Sequence, residues 1–421
     1  MAFNAAISGI KASTADLNII GNNVANSSTT GFKSSRGQFA DVYATSSLGV
    51  SENAIGAGVR LAEVSQEFGQ GTITFTDSAL DLAINGSGFF ALSDDGSQVY
   101  SRAGSFALDQ DGYVVNSEGH RLMAYQADSA GVITGAVDEL QILTSLQEPS
   151  ATGQIDMAVN LDSRQVPPAV PWSGPFDAFA VPPTSPSTDM YNNTTSLTIY
   201  DSLGNSHLMS NYFVKTATPN EWQVYTLIDG VSVGGPDTLT FNSSGQFDTA
   251  SLPVEVSIAG WTPLDSTGNP NGAAVQGFTN DLSLSTQFGV DFGVLSLAQD
   301  GFTTGQLGGL NIADNGTVFA LFTNGQARAL GQVVVADFAN AQGLQPIGDT
   351  AWVETFNSGP PLIGEPGTSG LGTLQSGALE DSNVDLTEQL VNMIVAQRNF
   401  QANAQVIQTE DAITQTVINL R

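Results

Sequence analysis

The side chains that most often carry chemistry are scarce in this chain. It has two histidines, His120 in NSEGHRL and His207 in SLGNSHL, and no cysteine. Each histidine stands beside a turn-forming stretch, with no second histidine at a zinc-site spacing, so both read as turn or surface residues. The stretch DQDGYVVNSEG imitates the opening of a calcium loop with Asp109 and Asp111, but the position that must be glycine is Val114. A hairpin turn fits it better. No serine sits in GxSxG, and no glycine-rich run ends in GK followed by Ser or Thr. Carboxylates are plentiful enough to meet in space as a glycosidase pair would, yet no spacing marks such a pair. The expectation is no enzyme, no catalytic residue, no metal and no cofactor.

Charge narrows the partners. Against 41 Asp plus Glu stand 11 Lys plus Arg, for a net charge of −30. Nucleic acid and anionic membrane surfaces repel such a protein, and nothing marks a small-molecule substrate. The charge is unevenly placed. Residues 1–30 hold only Lys11 and Asp16, and residues 385–421 hold four acidic side chains against Arg398 and Arg421. Nearly neutral ends could touch their counterparts in other copies while an acidic middle faces water. Without cysteine, disulfides and thiolate chemistry are excluded. The opening MAFNAAISGIKAS has neither a basic leader nor a continuous apolar run, so no cleaved secretory signal is expected. No stretch reaches the length of a membrane span.

Two periodic segments close the ends. Phe3, Ile7, Ile10, Thr14, Leu17, Gly21 and Val24 recur at steps of three and four, predicting a helix over 1–30 with a weak heptad seam. Ile19 and Ile20 broaden its apolar face. Leu386, Leu390, Met393, Ile394, Phe400, Ala404, Ile407, Val417 and Ile418 trace an imperfect stripe, predicting a second helix over 385–421. Asp385 suits its positive end and Arg421 its negative end. Between them lies β-prone material, so the fold class is mainly β, with nested discontinuous β-domains and a coiled-coil-like helix pair. Residues 31–70, rich in Ser and Thr but holding Phe32, Phe39, Val42 and Tyr43, read as an extended strut that docks on something. Residues 71–150 and 291–372 alternate around DDGS, DQDG and NSEG turns as two parts of one middle domain. Residues 151–290 form an outer β-domain carrying a proline-dense surface loop at 163–188. Residues 373–384 connect back.

Two amphipathic helices without an internal partner point to association between copies, and unlike patches meeting head to tail build open helical fibres. Here the residues carry a resemblance. Asn22, Asn23, Ala25 and Asn26, then Thr29 or Thr30, Gly31, Phe32 and Lys33, are similar to the N-terminal signature of the bacterial flagellar axial family, which builds hook, rod and junctions. The segment SGALEDSNVDLTEQLVNMIVAQRNFQANAQVIQTED resembles its C-terminal partner signature, carried by Ser382, Asn383, Val384, Leu386, Gln397, Arg398, Phe400, Ala402 and Asn403. The ends do not separate the members; length and the large central insert resemble the hook branch. That resemblance implies a structural subunit of an extracellular, flexible, hollow helical tube, acting as a universal joint between motor and filament. It implies contacts with copies of itself, with hook cap, distal rod and hook–filament junction proteins, and with the flagellar type III export apparatus. Phe3, Ile7, Ile10, Leu17 and Val24 of the first helix, and the stripe of the second, would bury between neighbours. Residues 22–35 would form the strut, with Gly31 as its bend and Phe32 as its anchor. A distal-rod or hook–filament junction subunit, or a β-rich adhesin, are the other readings.

Overall fold

The computed structural model describes residues 2–42, 56–128, 130–142, 145–248 and 255–419. Tyr43 and Arg421, given roles above, lie outside them. The chain is mainly β, with one long helix near each end.

Helix α1 spans Ala2–Ala25 and helix α2 spans Leu386–Asn419, about 36 and 51 Å long. The first stops short of residue 30 because asparagine takes over its last carbonyls. Asn26 donates to the Asn22 carbonyl from both its backbone N (3.1 Å) and its Nδ2 (3.0 Å), and Thr29 N donates to the Asn26 carbonyl (3.2 Å). Such side chains compete with the helix ladder and favour turns. At the start of α2, Asp385 Oδ1 accepts from Thr387 N (2.8 Å) and Glu388 N (3.1 Å), which makes it an N-cap.

The helices pair with each other, along a line beside the apolar stripe on α1 and along only part of the stripe on α2. The inward line of α1 is Ala6, Gly9, Ser13, Asp16, Ile20 and Asn23, one position before the stripe at every step. On α2 the more buried line is Gln389, Met393, Ala396, Asn403, Ile407 and Glu410. Small residues set the approach: a Cβ added to Gly9 would lie 2.5 Å from Asn403 Oδ1. Several large apolar side chains, most of them on α2, are left exposed. Phe3, Leu386, Leu390, Ile394, Phe400 and Ile418 are exposed, while Ile7, Ile10, Leu17, Val24, Ala404 and Ile407 are half-buried; Val417 belongs to α2.

The expected extended strut is largely a hairpin. Strand β1, Ser35–Val42, pairs antiparallel with β2, Gly58–Gln66, with a bulge at Gln38/Phe39. It packs on α1, where Ser8 Oγ accepts from Val59 N (3.1 Å).

By its internal contacts the chain divides into two compact units. One takes in residues up to 144, then 308–321 and everything from 327 on; the other takes in 145–307 and 322–326. The first is built on a large sheet in which Arg121–Ala127 and Phe89–Asp94 lie centrally, joined to Ala327–Val333 on one side and Ser97–Ser101 on the other. Its core gathers Phe89, Tyr100, Val334, Phe338, Leu344 and Trp352, with edge-on ring pairs such as Tyr100–Phe338 at 4.8 Å. The connector 373–384 is not free chain. Thr373–Ser376 pairs with Leu82–Asn85, and Ala378–Glu380 pairs with Ile73–Phe75, so the returning chain runs beside the outgoing one. The DQDG stretch is a tight hairpin turn, in which Asp109 Oδ1 accepts from Asp111 N and Tyr113 N.

The second unit is a β-sandwich. One four-stranded sheet holds Asn193–Tyr200, Ser206–Lys215, Glu221–Ile228 and Val231–Thr240; the other holds Glu255–Trp261, Gln276–Asp281, Gln154–Asn160 and Gly293–Gln299. Ile155, Met157, Phe213, Trp222, Val224, Ile258 and Phe278 from both sheets form its core. The last of these strands moves a boundary. The returning half, expected from 291, starts at 308, because Gly293–Gln299 pairs antiparallel with Gln154–Asn160. Asp229–Gly230, both at positive φ, make a two-residue hairpin between Ile228 and Val231. The proline-dense loop is pinned to its own sandwich. Phe176 is buried and exchanges hydrogen bonds with Ser232 (2.8 Å each), and Trp172 stacks on Tyr225 at 4.3 Å.

His207, expected in a turn or at the surface, is buried instead. Its Nδ1 lies 2.7 Å from Asp229 Oδ2, its Nε2 lies 3.4 Å from Asp201 Oδ2, and its ring stands edge-on to Trp261. Burial works to lower its pKa, but the bonds to Asp229 and Asp201 outweigh that, and the net shift is upward. A group whose folded pKa is raised contributes stability that is complete below its ordinary value and lost as pH rises through the raised one. His207→Gln should therefore melt below the parent chain at pH 6, and the gap should close towards pH 9 in thermal unfolding followed by tryptophan fluorescence. The ring resonances of His207 should titrate above the ordinary value of about 6.5.

Candidate assembly site at the strut

The signature residues 22–33 converge on one polar junction. Gly31 takes φ +69°, which suits glycine, and a Cβ there would lie 2.4 Å from Ala103 N. Its N donates to the Glu380 carbonyl (2.8 Å), so the bend is tied to the returning strand. Asn23 is buried and treats Ser35 as a strand would. Its Nδ2 donates to Ser35 O (2.8 Å), its Oδ1 accepts from Ser35 N (2.9 Å), and Nδ2 also reaches Gln389 Oε1 on α2 (3.2 Å). Asn383 does the same for the next stretch, accepting from Ser34 N (2.8 Å) and donating to Glu67 O (2.7 Å).

At the centre lies a buried ion cluster. Lys33 Nζ sits 2.6 Å from Glu380 Oε1, Arg102 Nη1 sits 3.1 Å from Glu380 Oε2, and the Glu380 side chain is fully buried. Backbone groups satisfy several of the remaining valences. Lys33 donates to Gly69 O (2.8 Å), Gly71 N donates to Glu380 Oε1 (2.7 Å), and Arg102 Nη2 donates to Gly86 O (2.7 Å). Burial lowers the Lys33 pKa, the Glu380 carboxylate opposes that shift, and the Arg102 charge adds to it. The cluster is enclosed, with Arg102 Nε the one buried nitrogen in it left without a partner. What it can do is lock the outgoing strut, the returning strand and the middle domain in one register.

The other signature residues are more open. Asn22 and Ala25 are exposed, while Asn26, Thr30 and Phe32 are half-buried. Phe32, expected in an apolar socket, lines an open cleft of about 370 Å³ with Pro346, Ala351 and Trp352. Sequence reasoning missed Glu380 and Arg102. The one available signal was Lys33 itself, a lone cation in a stretch of small neutral residues.

The comparisons decide what this frame belongs to. Residues 3–33 match the family described as Flagella basal body rod protein, and 375–420 match Flagellar basal body rod FlgEFG protein C-terminal. Residues 83–162 match Flagellar hook protein FlgE/F/G D1 domain, and 160–302 match Flagellar basal body protein FlaE D2 domain. The Escherichia coli K12 flagellar hook protein FlgE is 41% identical over the whole of both chains. That of Borreliella burgdorferi is 32% identical, covering 99% of this chain and 98% of its own. The chain belongs to the flagellar hook protein family. A solved structure of Helicobacter pylori hook protein FlgE2 covers 73% of this chain with a TM-score of 0.51 at 16% identity, a likeness of fold alone. Hook proteins are structural, so the lack of any catalytic spacing in the sequence agrees with the family.

The cluster gives an asymmetric prediction. Glu380→Ala strands two buried cations and should cost about 3–5 kcal/mol in urea unfolding. Lys33→Met leaves Glu380 still paired with Arg102 and should cost clearly less. Equal losses would mean that the carboxylate does not hold the cluster.

Proposed function

We propose that this chain is the structural subunit of the flagellar hook, polymerising with copies of itself into a flexible hollow tube at the basal body that serves as a universal joint. The observation that carries this is the outer face of the helix pair. Ala6, Gly9, Ser13, Ala396 and Asn403 share its seam with Ile20, Met393 and Ile407, while Leu390, Val391, Ile394, Val395, Val406 and Ile413 of α2 stand about half exposed to water. Large apolar side chains left exposed along a long helix are a surface waiting for a partner. Neighbouring copies supply it in a helical array. The full-length relatives carry the same name across the whole chain, which supports the reading.

Roles then follow by position. The helix pair lines the tube. Gln397, Asn399, Gln401, Gln405 and Gln408 are exposed on α2 and give the lining polar, mostly uncharged groups past which an unfolded chain slides. The junction at Lys33, Glu380 and Arg102 carries torque between the helix pair and the middle domain. The acidic sandwich slides against its neighbours through wet contacts. At its ends such a tube meets hook cap, distal rod and hook–filament junction proteins, and its subunits arrive through the type III export apparatus. The absence of cysteine suits a chain that must travel unfolded. A rod subunit is the second reading, since the matches at both ends are named for rod proteins; the match over 160–302 favours the hook.

Chains lacking residues 1–25 or 386–421 should stay folded and soluble by circular dichroism yet form no polymer in electron micrographs. Ile394→Asp should act in the same direction with a smaller effect. Cells deleted for the gene should keep a rod and lose both hook and filament. A shortened chain that still built tubes would sink the role given to the helices, and hooks persisting after gene deletion would sink the function.

A further inference from the structure

Phe356 is the most exposed large apolar side chain among the described residues, at 101% of its reference area. The turn that bears it is braced rather than loose. Ser358, fully buried, donates through Oγ to Thr355 O (2.8 Å) and accepts from Thr355 N (2.9 Å). Thr355 Oγ1 donates to Gly343 O and accepts from Asn357 N. Asn340 Nδ2 donates to Asn357 O (3.0 Å), and the backbones approach so closely that a Cβ on Gly343 would lie 2.5 Å from Asn357 C. The segment around 340–343 therefore acts as a pedestal. It holds an aromatic ring fully in water, at a cost in hydration and with no flexible loop to fold it away.

Preorganised, isolated aromatic rings of this kind are the anchors of interfaces, because little entropy is lost when they dock. The same unit contains a recess, a cleft of about 370 Å³ floored by the nearly buried Ala351 and Trp352 and rimmed by Phe32, Pro346 and polar side chains including Asn26, Thr29 and Thr350. Phe356 does not fill it within its own chain, since the ring is wholly exposed. Another copy offers this ring at high local concentration in the polymer proposed above. Knob and recess are different surfaces of one molecule, which is the arrangement that propagates as an open array.

We infer that Phe356 of one copy docks into the Phe32–Trp352 cleft of a second copy, joining the middle domain of one to the strut root of the next. This rests on the polymer reading above and adds a contact that the terminal helices do not make. The contact would be read in the purified full-length chain with three substitutions. Phe356→Ala should keep the parent melting temperature and raise the critical concentration for polymerisation about tenfold. Pro346→Arg, at the exposed rim of the cleft, should do the same, and Phe356→Leu should recover part of the loss. A photo-crosslinking phenylalanine analogue at 356 should link, in the assembled polymer, to peptides of a second copy spanning 26–33 or 346–352. A parent-like critical concentration for Phe356→Ala, or crosslinks mapping to any other segment, would overturn the inference and leave the polymer reading intact. Failure of the parent chain to polymerise at all would count against that reading instead.

Discussion

A carboxylate with no access to water, held between two cations from distant parts of the chain, is the constraint on which the rest of this structure turns. Glu380 faces Lys33, which lies 347 residues away, and Arg102, 278 residues away. Removing such charges from water is expensive, and a well-packed apolar trio could match the cluster in stability. What an apolar trio could not supply is direction. Each charge is satisfied only when Gly69, Gly71 and Gly86 present their backbone groups at hydrogen-bonding distance. A slip of one residue in the pairing of Ala378–Glu380 with Ile73–Phe75 would turn Glu380 to the opposite face and leave two cations unpaired. The cluster thus specifies register where an outgoing chain and a returning chain must run side by side.

From that fixed point the helix pair follows. Asn23, Asn383 and Gln389 extend the polar junction to the roots of both helices, so α1 and α2 leave it already side by side. Their seam mixes small and large side chains: Gly9 meets Asn403, and Ala6, Ser13 and Ala396 share the line with Ile20, Met393 and Ile407. Much of the apolar surface of α2 is then left exposed on the side away from α1.

The sequence showed some of this and hid the rest for identifiable reasons. The two helices and the alternating strands were legible because their periods of about 3.6 and 2 are written in side-chain polarity. The seam was not. A periodic search follows large apolar residues, and on α1 the stripe it finds is half-buried, one position away from the buried Ala6, Ser13 and Ile20. The hairpin of Ser35–Val42 with Gly58–Gln66 escaped because neither strand has a strongly apolar face: most of its side chains are exposed or half-buried. His207 looked like a turn residue beside DSLGN, and nothing local announced Asp229 across the sheet. Glu380 was invisible for the same reason. An isolated acidic residue becomes a site only through partners that the topology brings from elsewhere.

Matches at the two ends carry rod names, while the match over 160–302 carries a FlaE name, and this division has a structural counterpart. Every residue of the ion cluster, and every bond made by Asn23 and Asn383, lies in the unit that holds both termini. The sandwich has its own closed core, with Trp222, Phe213 and Ile155 at essentially no exposure, and borrows nothing from the junction. A domain that is self-sufficient in this way can be inserted, enlarged or altered at its proline-dense loop without disturbing the register that Glu380 enforces. Axial subunits can therefore share one way of ordering their ends and differ in what they carry between them, and here the inserted sandwich marks the chain as a hook subunit.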